Sequence, residues 1–273
     1  MHKGAFYSLL GAIAILVIGG TYAYAQRPER AVSNAAQKLA QAKTGHFHAV
    51  ISLADNPAAK SILTEATSMN VTLDGSFDRH GEERDSVVSD IVLNAKGDSV
   101  TLEIGGELRL IGDKAYLLVK KAPAAIPLLA KLKDTWAELP RGANAESAVS
   151  AAGGPLFHGV KSAGREEIAG KPARKYEATA TEQGIINFMD NIASLLGTQL
   201  TDQQISDLRA NLEKADSLPV TLWITPWRQE LVQLTADLPG NAVRYTIMFS
   251  DRNQDVAHAI PEGSRPIKEV LGE

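Results

Sequence analysis

The sequence predicts an α+β fold in which a large, curved antiparallel sheet (a half-barrel) has its concave apolar face covered by helices. Three observations lead to this prediction. Apolar and polar residues alternate in many short segments, which is typical of strands with one buried face. These segments form two groups, and strongly apolar helical segments separate them. A sheet with one apolar face cannot stay flat in water, and curling around those helices buries both.

The composition is that of a globular protein and excludes several functions. The chain has 273 residues, of which 44% are hydrophobic and 22% charged, so it can form a sizeable core. Its 28 Lys and Arg residues against 32 Asp and Glu residues give a net charge of −4, and we expect no binding of nucleic acid. Cysteine is absent, which excludes disulfides, thiol catalysis and Cys-ligated metals.

Residues 1–25 form a separate segment with two interpretations. No charge occurs between Lys3 and Arg27. The segment is either an export signal cleaved after Ala25, or a membrane anchor at 6–25, which as a helix would span about 30 Å. Both place residues 26–273, which we predict to be a single domain, outside the cytoplasmic membrane. The domain is secreted or periplasmic after cleavage, and the membrane becomes a partner only if the segment is retained.

The domain begins with a predicted helix at about 28–44. Pro28 and Glu29 suit a first helical turn. Apolar residues then recur every three to four positions, and Gly45 follows as the predicted stop.

Strands follow the helix, and the alternation of apolar and polar residues sets their bounds. The first group lies at about 47–53, 71–77, 87–95, 100–110, 115–119, 136–139, 160–168 and 174–180. Gly105 and Gly106 interrupt the fourth strand and predict a bulge or a bend. A helical insert at about 182–215 comes next, and three final strands are predicted at 218–224, 232–238 and 243–249.

The concave face encloses either an apolar cavity or a filled core. For a cavity, the alternation and the helical stripes predict twelve lining residues: Leu73, Phe77, Ile91, Leu93, Leu102, Ile104, Leu108, Phe188, Met189, Ile192, Leu222 and Ile224. In the alternative, the same side chains pack against one another.

Catalytic and metal-binding patterns are weak. His46 and His48 share a strand face, but no third ligand can be named, so solvated histidines are the simpler interpretation. Residues 251–255 match several positions of a calcium loop, yet Val256 stands where that loop requires glycine, and we predict a polar turn. Residues 164–171 are one residue too long for a phosphate loop. We therefore predict no enzymatic activity, no cofactor and no metal site.

Several turn and strand sequences resemble those of a known superfamily. They are Gly75-Ser-Phe, the segment from Gly106 to Tyr116, the segment from Gly164 to Ala178, and the end from Phe249 to Pro261. Over about residues 30–265 the chain resembles the LolA/LolB-like superfamily, and within it the LppX/LprG-type lipid-binding lipoproteins. The resemblance implies a half-barrel around an apolar cavity, with a lipid or an acylated molecule as partner. Those lipoproteins carry a lipidated cysteine, which this chain lacks, so their mode of attachment is not implied.

Two functional hypotheses follow. The first is a non-enzymatic carrier of the bacterial cell envelope that shields a lipid or acyl chain. The second is an envelope interaction or sensor module of the same fold, with a filled core and no lipid ligand.

Overall fold

The computed structural model describes residues 27–54, 66–79, 85–97, 101–112, 114–124, 126–139, 157–182, 185–186, 202–203, 205–206, 209–210, 218–238 and 243–272. The predictions for residues 1–25 and for most of the insert at 182–215 lie outside the described residues. None of the helices in the described ranges combines the length and apolar character needed to cross a membrane.

A large open sheet dominates the described part of the chain, and the predicted α+β class with a curved antiparallel sheet is confirmed. In chain order the elements are α1 (Arg27–Gln41), β1 (Thr44–Ala54), β2 (Ala66–Asp78), β3 (Ser86–Gly97), β4 (Thr101–Ile111), β5 (Lys114–Lys121), α2 (Pro127–Lys131), β6 (Trp136–Leu139), β7 (Phe157–Ile168), β8 (Lys171–Ala180), β9 (Leu218–Ile224), β10 (Leu231–Leu238), β11 (Val243–Ser250), β12 (Arg265–Pro266) and α3 (Ile267–Leu271). The strand order across the sheet is β12-β6-β5-β4-β3-β2-β1-β11-β10-β9-β8-β7.

The first and last parts of the chain meet in the middle of the sheet. Strand β1 pairs antiparallel with β2 on one side and with β11 on the other. Phe47 lies opposite Phe249 in this junction. The two groups of strands recognised in the sequence therefore form one sheet.

Strand register places the apolar residues on one face of the sheet, which we call the inner face. Leu102 lies opposite Ala95, which lies opposite Met69. Met69 in turn lies opposite Leu53, and Leu53 lies opposite Val243. All five are buried. Because directly paired residues point to the same side of a sheet, the apolar surface continues from β4 to β11 without interruption.

Helix α1 packs against the inner face. Val32, Ala35 and Leu39 lie at helical spacing, are buried and join the same core cluster as the inner-face residues. The helix makes its main contacts with β7, β9 and β10. It ends at Gln41 rather than near residue 44, because Gly45 belongs to β1. A Cβ on Gly45 would lie 2.8 Å from the Phe77 ring, so this glycine serves strand packing and is not the helix stop.

The glycine pair of β4 behaves as predicted. The register between β4 and β5 shifts between Gly105 and Gly106. A side chain at Gly106 would place its Cβ 2.6 Å from the carbonyl oxygen of Leu118. The bulge therefore depends on glycine at the second of the two positions.

The C-terminal segment is a feature that alternation could not predict. Residues 251–264 cross the outer face of the sheet, and we call them the strap. The backbone N–H of Asn253 donates to the carbonyl oxygen of Thr44 at 2.9 Å. Further along, Arg109 donates from Nη1 to the carbonyl oxygen of Ala259 at 2.7 Å, and its guanidinium lies 4.7 Å from the ring centre of Trp136.

The strap leads to a strand that no periodicity marks. β12 has two residues and pairs with β6 in parallel, with Arg265 opposite Ala137. In α3, Ile267, Val270 and Leu271 then pack against a small cluster that contains Val119 of β5 and Leu132, which directly follows α2. The chain end thus covers one edge of the sheet.

Candidate functional site

A pocket of about 420 Å³ opens at the end of the inner face, between the start of α1 and strands β8 and β9. The volume lies within the range of small-molecule sites, roughly 300–1,000 Å³. The lining residues come from the helix, from β8, from β9 and from the turn after β9. They are Arg30, Ala31, Asn34, Arg174, Tyr176, Ile224, Thr225, Pro226 and Gln229. We call this the amphipathic pocket.

Two guanidinium groups supply its positive charge. Arg30 projects from the first turn of α1, and Arg174 occupies the inward position of β8 next to Tyr176. Both side chains are exposed. Neither forms an ion pair with another of the described residues. Guanidinium groups bind carboxylates and phosphates through paired hydrogen bonds, so the pocket offers a site for an anionic group.

A well-connected polar wall stands beside the arginines. Asn34 donates from Nδ2 to Oε1 of Gln229 at 2.9 Å. Gln229 belongs to a turn that is closed by hydrogen bonds between Thr225 and Glu230, with the Thr225 N–H donating to the Glu230 carbonyl at 2.9 Å. The Glu230 N–H donates to Oγ1 of Thr225 at 3.0 Å. These bonds hold the wall in place before any ligand binds.

The floor of the pocket is apolar. Tyr176 is 5% exposed and Ile224 is 2% exposed, and both belong to the main core cluster, against which Ala31 also packs. A ligand here would meet positive charge and amide groups on one side and the hydrophobic core on the other. That combination suits a molecule with an anionic group and an apolar body.

Nine of the twelve predicted lining residues are described, and they lie in the main core cluster, in a small neighbouring cluster or in a less covered patch. Leu73, Phe77, Leu102, Leu222 and Ile224 are buried in the main core cluster. Leu108 belongs instead to a small cluster with Leu110 and Ala115. Among the nine predicted residues that the structure describes, only Ile224 lines the amphipathic pocket.

Three predicted residues form a less covered patch on β3 and β4, which we call the aliphatic window. Ile91, Leu93 and Ile104 are only partly buried, although they face the core. Leu93 lies directly opposite Ile104, and Ile91 lies opposite Gly106. The remaining three, Phe188, Met189 and Ile192, lie outside the described residues.

Sequence reasoning missed the polar half of the pocket. Arg174 carried a usable signal, because strand alternation puts it on the same face as Tyr176 and Ala178, where a charge is unexpected. Arg30 and Asn34 carried a weaker one, since they lie one helical turn apart. Their meeting with Gln229 depends on where α1 docks, and local sequence does not encode that position.

Residues from the two sequence patterns that resemble metal sites form polar contacts with other residues of the fold. His48 Nδ1 lies 3.1 Å from Oδ2 of Asp74 across the β1–β2 pair. Asn253 lies in a turn, and its Oδ1 accepts the backbone N–H of Lys43 at 2.9 Å. Within the described ranges, no group of three or more His, Asp or Glu side chains is placed to hold a metal ion.

Comparison with known proteins gives similarities at the level of solved structures. No family model matches the chain, and no curated protein matches it. The chain is similar to the lipoprotein LppX of Mycobacterium tuberculosis, with 15% identity, 84% of this chain and 97% of that chain covered, and a TM-score of 0.46.

Two further solved structures are similar. LprF of Mycobacterium bovis has 15% identity, covers 86% of this chain and 96% of its own, and gives a TM-score of 0.48. A putative outer membrane lipoprotein-sorting protein domain of Vibrio parahaemolyticus has 7% identity, covers 78% and 87%, and gives a TM-score of 0.22.

Proposed function

We propose that this protein is a non-enzymatic lipid- or acyl-chain-binding carrier of the bacterial cell envelope, acting outside the cytoplasmic membrane. The observation that carries the proposal is the amphipathic pocket, whose arginines and amides lie directly over the apolar core. The uncharged run before Arg27 supports the extracytoplasmic location.

The chemistry of the pocket suits an amphiphile with an anionic group. Arg30 and Arg174 lack acidic partners among the described residues, so an anionic group would bring them charge-assisted hydrogen bonds. Tyr176 and Ile224 leave no polar group on the floor except the tyrosine hydroxyl.

The aliphatic window is a separate place where an acyl chain could lie. It is on β3 and β4, five strand spacings from the pocket strand β9, or roughly 24 Å along the sheet. We therefore treat the pocket as the site of the polar group and the window as a second apolar contact, and each has its own test.

The deciding experiment is a titration of the full chain with a fluorescent fatty acid, followed by native mass spectrometry of the protein purified from membranes. Arg174→Gln should weaken binding by about tenfold or more, because hydrogen bonds to charged groups are worth roughly 1.5–3 kcal/mol. Arg244→Gln is the matched control, since this arginine pairs with Asp237 on the outer face. Its affinity should equal that of the wild type.

Two results would contradict the proposal. If the wild type binds no acyl chain in either assay, the filled-core interaction module becomes the better hypothesis. If Arg174→Gln and Arg244→Gln bind equally well, the ligand does not use the amphipathic pocket.

A further inference from the structure

Trp227 is the most exposed large apolar side chain among the described residues, with 93% of its surface in contact with solvent. It lies in the turn between β9 and β10. An aromatic side chain of this size usually buries much of its surface in a core or an interface. It directly follows Pro226, a lining residue of the amphipathic pocket.

The turn that carries Trp227 is firmly braced. Within the turn, the Gln229 N–H donates to the carbonyl oxygen of Thr225 at 2.9 Å. Helix α1 holds it from the side, since Lys38 donates from Nζ to the carbonyl oxygen of Arg228 and Asn34 bonds the Gln229 side chain. The exposure of Trp227 is therefore built into the turn and does not result from a loosely held loop.

Four exposed arginines lie on the elements at this end of the sheet. Arg30, Arg165, Arg174 and Arg228 are exposed, and none of them forms an ion pair with another described residue. Arg165 lies directly opposite Arg174 in the β7–β8 pair. Like charges in this position repel one another, so an anion that lies between them would stabilise the pair. This cluster contrasts with the net charge of −4 of the whole chain.

The chain also enters the described structure at this end. Helix α1 starts at Arg27, immediately after the uncharged run of residues 6–25, and Arg30 lies in its first turn. A surface that combines an exposed tryptophan with arginines that have no acidic partner among the described residues matches the interfacial zone of a membrane. There, tryptophan rings sit at the headgroup level and basic residues bind anionic lipids.

We propose that Trp227, together with Arg30, Arg165, Arg174 and Arg228, forms a docking surface for an anionic phospholipid bilayer. Trp227 enters the headgroup region, and the guanidinium groups bind lipid phosphates around it. Docking brings the entrance of the amphipathic pocket to the membrane. Trp227, Arg165 and Arg228 do not line the pocket, whereas Arg30 and Arg174 belong to both the pocket and the docking surface.

The test uses the full chain with vesicles of phosphatidylcholine containing about one third phosphatidylglycerol, with brominated acyl chains as a fluorescence quencher. The emission of Trp227 is obtained as the difference between the wild type and Trp227→Phe. We expect this emission to shift to shorter wavelength and to be quenched by the anionic vesicles. Pure phosphatidylcholine vesicles should give a much smaller effect.

Charge variants that keep Trp227 supply the second measurement. Arg165→Gln combined with Arg228→Gln should lower vesicle binding by about 25-fold, since each basic residue near an anionic surface contributes roughly a factor of five. Arg244→Gln on the outer face is the control and should bind as the wild type does. Trp227→Phe changes no residue that lines the pocket, so it should bind lipid in the pocket as the wild type does when no vesicles are present.

Three outcomes would overturn the proposal. The first is an unchanged Trp227 emission in the presence of anionic vesicles. The second is an equal response of the double variant and the Arg244→Gln control. The third is a concentration-dependent dimer that Trp227→Ala abolishes, which would show that a second copy of the chain covers the tryptophan. None of these depends on whether the pocket binds an acyl chain, so a failure of docking is distinguishable from a failure of the carrier function.

Discussion

Gly45 and Gly75 each lie beneath a phenylalanine of the neighbouring strand. In the β1–β2 pair, Gly45 stands opposite Phe77 and Phe47 stands opposite Gly75. A Cβ on either glycine would come within 2.8 Å of the facing ring. The two pairs are reciprocal, so the absence of two side chains makes the space that two aromatic rings fill.

The tighter of these glycines should not tolerate even a methyl group. A Cβ at Gly75 would lie 2.2 Å from the carbonyl oxygen of Val88, and backbone cannot move aside cheaply. Gly75→Ala should therefore lower the free energy of unfolding by about 1–3 kcal/mol, as overpacking does, measured from the urea midpoint. Gly105→Ala is the control, because its nearest neighbour is the Lys121 side chain at 3.3 Å. Equal losses in the two variants would contradict this prediction.

His258 links stability to pH. Both ring nitrogens are bonded to serine hydroxyls, Nε2 to Ser76 at 2.8 Å and Nδ1 to Ser86 at 2.7 Å. Burial is the main cause that lowers the pKa of His258, Arg109 and His46 lower it further, and Asp78 opposes the shift.

A lowered pKa in the folded protein means that the unfolded chain takes up the proton first as the pH falls. The neutral His258 ring therefore contributes to the free energy of unfolding in full above about pH 6.5, the ordinary pKa of histidine in the unfolded chain. This contribution is lost as the pH falls from there through the lowered pKa of the folded state. Urea titrations between pH 8 and pH 5 should show the wild type losing stability over this interval. His258→Gln should lose less, and an identical pH dependence of the two proteins would contradict the assignment.

At the scale of single elements, β4 contains a matched test of packing. Leu102 and Ile104 lie two positions apart on the same face, but Leu102 is 6% exposed in the main cluster whereas Ile104 belongs to the less covered aliphatic window. Leu102→Trp should overpack the core and cost about 1–3 kcal/mol. Ile104→Trp should cost clearly less, because part of the new side chain can extend into the window. Denaturant midpoints measure the two losses of stability. A larger loss for Ile104→Trp than for Leu102→Trp would mean that the window is closed.

Most of the strands could be predicted because alternation is a local signal. The bulge at Gly105 and Gly106 could be predicted for the same reason, since glycines inside an alternating run usually mark a bulge or a close approach of two backbones. The predicted end of α1 was wrong by about three residues, because Gly45 looks like a helix stop unless Phe77 is known to cover it. The two residues of β12 are too short for any period.

The candidate site was harder to predict than the fold. The twelve predicted lining residues were chosen as apolar positions on the inner face, and whether they line a cavity stays a prediction. The amphipathic pocket combines α1 with β8, β9 and a turn, and that contact depends on how a helix docks on a sheet. Only Arg174 stood out locally, as a charge in an inward position of a strand.

At the scale of the whole molecule, the C-terminal segment covers the edge of the sheet at β6. Deleting residues 265–273 should expose that edge and remove the partial burial of Ile267, Val270 and Leu271. We expect a loss of about 2–4 kcal/mol and a tendency to associate, because uncovered strand edges pair with other chains. Thermal melting and size-exclusion chromatography measure both effects. Unchanged melting of the shortened chain would show that the edge needs no cover.

The pairing of β1 with β11 also constrains when the sheet can be completed. Phe47 and Phe249 face each other across this junction, although they lie 202 positions apart in the chain. At a synthesis rate of about 5–20 residues per second, the β11 side of β1 stays without its partner for roughly 10–40 s. Strand β2 can cover the other side early. A newly made chain therefore carries one open strand edge for most of its synthesis, and contacts of such long range also predict slow folding.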